Sequence, residues 1–187
     1  MPRPARYTTD VLLDAAAELL AAEGPAAVTM SAVARSTGAP SGSVYHRFPT
    51  RAALCGELWV RTEERFQGEL IEALSVDGDA QQRCVSGALR IVQWCRDNPV
   101  EAQVMLAGPT ELGMGDWPEP VTSRRKRLQR KLRKALSDLS DDTARVNAAI
   151  VDVPAAIVRR HLRAGQTIPS VADAIVEECA RALIAPS

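Results

Sequence analysis

Apolar residues recur at helical spacing along almost the whole chain, and the breaks between periodic stretches mark out about nine helices. Val11, Leu12, Ala15, Ala16, Leu19 and Leu20 follow the capping candidates Thr8 and Thr9, and Gly24-Pro25 ends that run. Thr29 caps a second segment, with Val28 and Val33 at the spacing of a hydrophobic staple, and this segment stops near Gly38. The next stretch, "GAPSGSVYHRFPTR" from Gly38 to Arg51, holds a brief third helix that Pro49 terminates. Thr50 then caps a fourth helix running from Arg51 to about Leu74. At about 1.5 Å per residue it would be roughly 36 Å long, enough to pass from one domain into another.

The second half repeats the pattern with longer elements. "DAQQRCVSGALRIVQWCRDNP" sets Cys84, Ala88, Ile91, Val92 and Cys95 on one side, and Asn98-Pro99 ends it. A short helix over 99–107 precedes a glycine- and proline-rich loop over 108–120 that could cover a pocket. Leu128, Leu132, Leu136 and Leu139 then share one face, and 141–164 reads as a further helix, kinked at Pro154 and ended by Gly165. Val171, Ile175, Cys179 and Leu183, flanked by Val176 and Ala180, form a last helix with a wide apolar face. No strand alternation, repeat or low-complexity segment interrupts the pattern, so the expected class is all-α. The expected division is a three-helix N-terminal domain over 1–50 and a larger helical domain over 51–187.

Composition narrows the function. With 187 residues, 46% hydrophobic and 25% charged, the chain can bury a core in one domain or in a small plus a larger one. No apolar run approaches the roughly 18 residues of a membrane span, and "MPRPARYTTD" lacks the apolar core of a secretion signal. A cytoplasmic protein without membrane contact is expected. Cys55, Cys84, Cys95 and Cys179 are widely spaced within helical patterns, which suits buried free thiols better than disulfides or metal ligands. Neither a cofactor nor a metal is expected.

The formal net charge is zero. Its distribution is uneven: Arg35, His46, Arg47 and Arg51 share a stretch with no acidic residue, whereas Asp10, Asp14, Glu18 and Glu23 lie upstream on a separate helix. Binding to phosphate depends on such a local patch rather than on the total. A helix-turn-helix unit also needs a small residue where its helices touch, a glycine for the left-handed turn, and an apolar residue to pack the second helix on the first. Ala34, Gly38 and Val44 stand at those places.

"VTMSAVARSTGAPSGSVYHRFPTRAAL", preceded by "LLDAAAELLAAEG", resembles the N-terminal domain of the tetracycline-repressor (TetR) family of transcriptional regulators, over about residues 7 to 58. The remaining two thirds match only in helix count and order. By position, the resemblance assigns base-edge contacts to Ser41 and Ser43, close backbone approach to Gly42, and phosphate contacts to Thr29, Tyr45, His46 and the region of Arg51. Two departures stand out: Pro40 occupies a place where serine is common, and Arg47 a place where an aromatic or histidine is frequent, so Arg47 is a candidate to replace the lost contact or to read guanine. Ala52 also replaces an acidic residue common in the family. Each residue has a plainer alternative. Phe48 and Tyr45 could be core aromatics, His161 is most simply a solvated residue near a helix end, and Arg3 and Arg6 could be an arm toward the minor groove or an ordinary terminus.

The resemblance implies a repressor acting on a near-palindromic double-stranded DNA operator as a homodimer, released by a small-molecule effector. Trp59, Phe66, Trp94, Met105, Met114 and Trp117 could line the effector pocket or simply fill the core. The residues themselves point to dimerisation through the last two helices, because "AAIVDVPAAIV" and the face around 171–184 carry more apolar surface than one chain can bury. Ala149, Ala156, Val171, Ile175 and Cys179 are the candidates there. The basic run from Arg124 to Lys134 reads either as a surface for nucleic acid or an acidic partner, or as the solvated face of an amphipathic helix. No catalytic motif is visible, so an enzyme is not expected. A DNA-binding architectural or adaptor protein without a ligand is the alternative.

Overall fold

A computed structural model describes residues 7–184. Among them the elements are α1 (Thr9–Glu23), α2 (Met30–Thr37), α3 (Ser41–Arg47), α4 (Arg51–Ala73), α5 (Ala80–Asp97), α6 (Pro99–Glu111), α7 (Glu119–Ser137), α8 (Thr143–Asn147), α9 (Val153–Arg163) and α10 (Val171–Leu183), with no strand. The π turn Ala148–Asp152 joins α8 to α9 with helical dihedrals throughout, so nine rods result. Arg3 and Arg6, the possible arm, lie outside the described residues. The chain groups into two compact units, one of residues 1–63 with 100–126 and one of 64–99 with 127–187. The division falls within α4 and α7, so the first turns of α4 cluster with the three N-terminal helices.

The first unit is built on short-range signals that its sequence carries openly. The Thr8 hydroxyl accepts from the Val11 N–H at 3.3 Å to start α1, and Gly24, at φ 84°, ends it. Leu12, Leu13, Ala16 and Leu20 bury one face of α1 together with Val28, Val33, Val44, Phe48 and Leu54. Arg61 of α4 is a less obvious tie. Its buried guanidinium sits 2.8 Å from Asp14 and 3.2 Å from Asp10 of α1 and also donates to the Asp10 carbonyl. At Gly56 α4 meets Val121 and Trp117 so closely that a Cβ would lie 2.9 Å from the Val121 methyl group. Two ion pairs flank that contact, Glu57–Arg124 at 2.6 Å and Glu63–Arg125 at 3.8 Å. The expected loop over 108–120 is more ordered than its glycines suggested. Gly108, at φ 79°, kinks α6, a 3-10 turn spans Met114–Asp116, and the Trp117 indole donates to the Leu112 carbonyl at 3.0 Å.

The second unit centres on α5, which Asp79 and Gln82 start with a capping box. Its Cys84, Ala88, Ile91, Val92 and Cys95 are buried, as are Ala149, Ile150, Val158, Ala172, Val176 and Ala180. Burial pushes the Cys95 thiol up to about 12, and the Cys55 and Cys84 thiols up as well, against smaller opposing effects of Arg51 and Arg83 respectively. All four cysteines are free, but Cys179 is only half-buried. Arg96 fixes the approach to α10: it chelates both Asp173 oxygens at 2.8 and 2.9 Å and donates to the carbonyls of Ile168 and Pro169. The helix expected over 141–164 begins instead at Thr143, where the Asp142 carboxylate accepts from the Arg145 N–H. Pro154 lacks the N–H that an α-helix would direct to Ile150, and the π turn precedes it, so a change of helical pitch accompanies the proline.

Candidate nucleic-acid interface

The presentation of α3 is set by three local devices. Thr29 caps α2 by accepting from the Ala32 N–H at 3.1 Å. At the other end Gly38 turns left-handed, at φ 69° and ψ 17°, while the Ala39 N–H returns to the Ala34 carbonyl at 3.0 Å. The Thr37 hydroxyl donates to the Val33 carbonyl at 2.8 Å and tightens the same turn. Pro40 then begins α3 without a side-chain cap, its carbonyl accepting from the Ser43 N–H at 2.8 Å. Val44 and Phe48, both buried, hold the inner face of α3.

The outer face carries the predicted residues. Ser41, Gly42, Tyr45 and His46 are exposed, and Ser43 and Arg47 are half-buried. The aromatic ambiguity resolves by burial: Phe48 is 2% exposed and belongs to the core, whereas Tyr45 is 52% exposed and has no packing role to explain it. No acidic residue stands between Arg35 and Arg51, so nothing of opposite sign on this segment screens the patch. A short helix exposing hydroxyls, a glycine, a phenol, an imidazole and an arginine fits the major groove, where hydroxyl and guanidinium groups reach base edges and phosphates.

Arg51 is placed differently from expectation. Its Nε donates to the Val28 carbonyl at 2.7 Å and its Nη2 to the Pro25 carbonyl at 2.6 Å. Two of its three nitrogens therefore fasten the turn before α2. Thr29 likewise has its hydroxyl at a cap, although the residue is exposed. Arg61, with its carboxylates on α1, was missed by the sequence reading. The available signal was a cation within the apolar run "LWVRTEE", but its partners lie 51 and 47 residues away.

The six effector-pocket candidates are divided between the two units. Trp59, Met105, Met114 and Trp117 belong to the first unit, and Phe66 and Trp94 to the second. Trp59 and Trp117 are buried, the Trp59 indole donating to Glu63 at 3.2 Å, while Met114 accepts from Arg125. Phe66 and Trp94 pack edge to face with centroids 5.1 Å apart. A cavity of about 440 Å³ lies elsewhere, between the second half of α4 and α5, with Glu69, Glu72, Leu89 and Arg90 among its walls. Charged Glu69, Glu72 and Arg90 share its walls with Ala73, Val76 and Leu89, and the Trp59 and Trp117 indoles are hydrogen-bonded within the fold.

The dimer candidates divide. Val171 and Ile175 are 58% and 44% exposed, Ala156 is exposed and Cys179 half-buried, and these apolar groups stand without cover within one chain. Ala149, in the π turn, differs: at 0% exposure it lies in the core of its own chain.

Residues 12–58 match the family model described as "Bacterial regulatory proteins, tetR family". The fold of the whole chain is shared with a transcriptional regulator from Rhodococcus sp. Rha1 at 15% identity and a TM-score of 0.78, covering 96% of this chain and 100% of that one. The fatty acid degradation regulator FadR from Bacillus halodurans is similar at 17% identity and a TM-score of 0.74, with 94% and 93% covered. FadR from Bacillus subtilis, in complex with stearoyl-CoA, is similar at 14% and 0.73, with 95% and 98% covered. No curated protein sequence matches the chain. The family model lies over the helix-turn-helix, so residues 12–58 carry a domain similar to the DNA-binding domain of the TetR family, and the whole chain shares its fold with these solved structures.

Proposed function

We propose that this chain is a DNA-binding transcriptional regulator of the TetR family, a repressor that binds a near-palindromic operator as a homodimer and leaves it when a small molecule binds. The observation that carries this reading is the outer face of α3, acid-free, exposed, and fixed from behind by Gly38, Val44 and Phe48. In that reading residues 1–50 read DNA and 51–187 bind effector and partner. Ser41, Gly42, Ser43 and Arg47 approach base edges, Tyr45, His46 and Thr29 approach phosphates, and Arg51 supports them by anchoring the preceding turn. Two copies on a two-fold axis place their recognition helices about 34 Å apart, one turn of the duplex. The uncovered Val171 and Ile175 support α10 as part of the dimer contact. Regulation rather than catalysis is the role the family supports, and the cytoplasm is the compartment in which it meets DNA. No helix among the described residues is long and apolar enough to cross a membrane.

Effector coupling follows from α4, a single helix that carries Arg61 toward α1 and Phe66 toward Trp94. A ligand that favours one setting of α4 changes the spacing of the two reading heads, and near-complete release takes about 10⁴-fold preference for that setting. The stearoyl-CoA complex of the Bacillus subtilis FadR makes long-chain acyl thioesters the first class to test. A true effector raises the melting temperature and releases operator DNA over the same concentration range, since both effects express one differential affinity. A compound that stabilises the protein and leaves DNA affinity unchanged contradicts the coupling. If acyl thioesters and other metabolites all fail to stabilise it, the ligand-free architectural reading, which the packed aromatic candidates favour, takes its place.

A further inference from the structure

The α7 helix carries a second cationic surface that the reading head does not use. Between Glu119 and Asp138 the chain has no acidic residue. Arg124 and Arg125, at the start of this run, are held by Glu57 and Glu63. Beyond them Arg127, Arg130, Lys131, Arg133 and Lys134 are all exposed, and none has an ion pair among the described residues. At about 100° per residue, Arg127, Arg130, Lys131 and Lys134 fall within an arc of about 100°, and Leu128, Leu132 and Leu136 lie on the opposite side. The leucines are buried or half-buried. The amphipathic pattern therefore explains the inner face and leaves the outer one as four like charges over two turns.

Like charges this close repel one another, and carboxylates interspersed at helical spacing would relieve that cost, but α7 has none beyond Glu119 in its first turn. A folded protein partner normally needs aromatic or aliphatic anchors at the centre of its contact, and this arc offers none. A uniform cationic face without anchors suits instead a ligand whose charge is itself repetitive and whose binding comes from counterion release, the phosphate backbone of a duplex. Arginine, half of this set, matches phosphate with its planar fork. DNA is also the polyanion held close to this chain whenever α3 is engaged, which raises its effective concentration at any second site.

We infer that the Arg127, Arg130, Lys131 and Lys134 face of α7 is a sequence-independent contact for double-stranded DNA, separate from the recognition helix. The inference rests on the DNA-binding reading above only for the source of the polyanion, and its test is made where that reading cannot interfere. The protein carrying Tyr45→Ala and Arg47→Ala is titrated with a random-sequence duplex between 50 and 200 mM salt, with and without Arg127→Gln, Arg130→Gln, Lys131→Gln and Lys134→Gln. Glutamine keeps helix propensity, and circular dichroism checks the fold. At about 0.9 per neutralised phosphate, four contacts make the slope of log affinity against log salt about 3 to 4 units shallower in the glutamine variant. Across that fourfold range of salt this is a difference in salt sensitivity on the order of a hundredfold. Equal slopes in the two proteins overturn the inference while leaving operator binding by α3 intact. Loss of binding to phosphatidylserine vesicles in the glutamine variant, with DNA slopes unchanged, overturns it in favour of an anionic membrane.

Discussion

Replacing Arg51 by alanine separates a phosphate contact from a structural clamp. In the structure its guanidinium spans two backbone carbonyls, Val28 at 2.7 Å and Pro25 at 2.6 Å, that lie 23 and 26 residues earlier in the chain. Both acceptors belong to the turn that delivers Thr29 to its capping position, so their loss loosens the start of α2 and with it the platform for α3. A charge-assisted hydrogen bond is worth about 1.5 to 3 kcal/mol when shielded. One of these two is exposed to water, which reduces its share, so Arg51→Ala is expected to cost about 2 to 3 kcal/mol. For a chain of this length that is roughly 4 to 12 °C in melting temperature. Lysine supplies one point donor where the clamp needs two directions, and Arg51→Lys should recover less than half of the loss. The assay pairs urea unfolding with operator binding measured against salt. The clamp predicts a lower unfolding midpoint and a salt slope close to that of the wild type. A variant with unchanged stability whose slope falls by about one unit makes Arg51 a phosphate ligand and refutes this reasoning.

Four further expectations test other parts of the account. Gly56→Ala forces a methyl group to within 2.9 Å of Val121 and about 3 Å of Trp117 and should destabilise the chain by about 1 to 3 kcal/mol, seen as a lower urea midpoint with quenched or shifted tryptophan fluorescence. In the native protein a thiol reagent should leave Cys55, Cys84 and Cys95 unlabelled, and all four cysteines should react after denaturation; fast native labelling of any of those three contradicts their burial. Because the folded Cys95 thiol keeps its proton up to about pH 12 while an unfolded thiol loses it near pH 9, its contribution to stability declines between those values, and Cys95→Ala should lessen the alkaline loss. Ile175→Glu places a charge on the uncovered face of α10 and should yield monomers in sedimentation with native helicity; a stable dimer would move the interface elsewhere.

What could be read from the sequence was what neighbouring residues decide. Thr8, Thr29 and Thr50 announce helix starts because a cap acts within three residues, and Gly38 announces its turn because few other residues tolerate a positive φ. The long-range pairings were hidden. Arg51 with Val28 and Arg61 with Asp14 join helices that only the folded chain brings together, and an arginine that clamps a carbonyl looks in sequence like one that binds phosphate. The roles of the effector candidates were hidden for a related reason. Trp59, Trp117 and Met114 would serve equally well to line a cavity or fill a core, and the structure shows their polar atoms already satisfied by Glu63, Leu112 and Arg125. The burial of Ala149 was hidden because small residues on a wide apolar helix permit several faces to turn inward.

The central claim is that the exposed face of α3 reads an operator, and genome-wide footprinting by the purified protein, repeated with Tyr45→Ala and Arg47→Ala, tests it most directly. The account predicts protection of near-palindromic sites whose half-sites are about 10 base pairs apart, weakened by on the order of 1 to 3 kcal/mol in each variant while helicity and melting are unchanged. Discrete sites protected equally by both folded variants, or protection without any recurrent sequence, would contradict it.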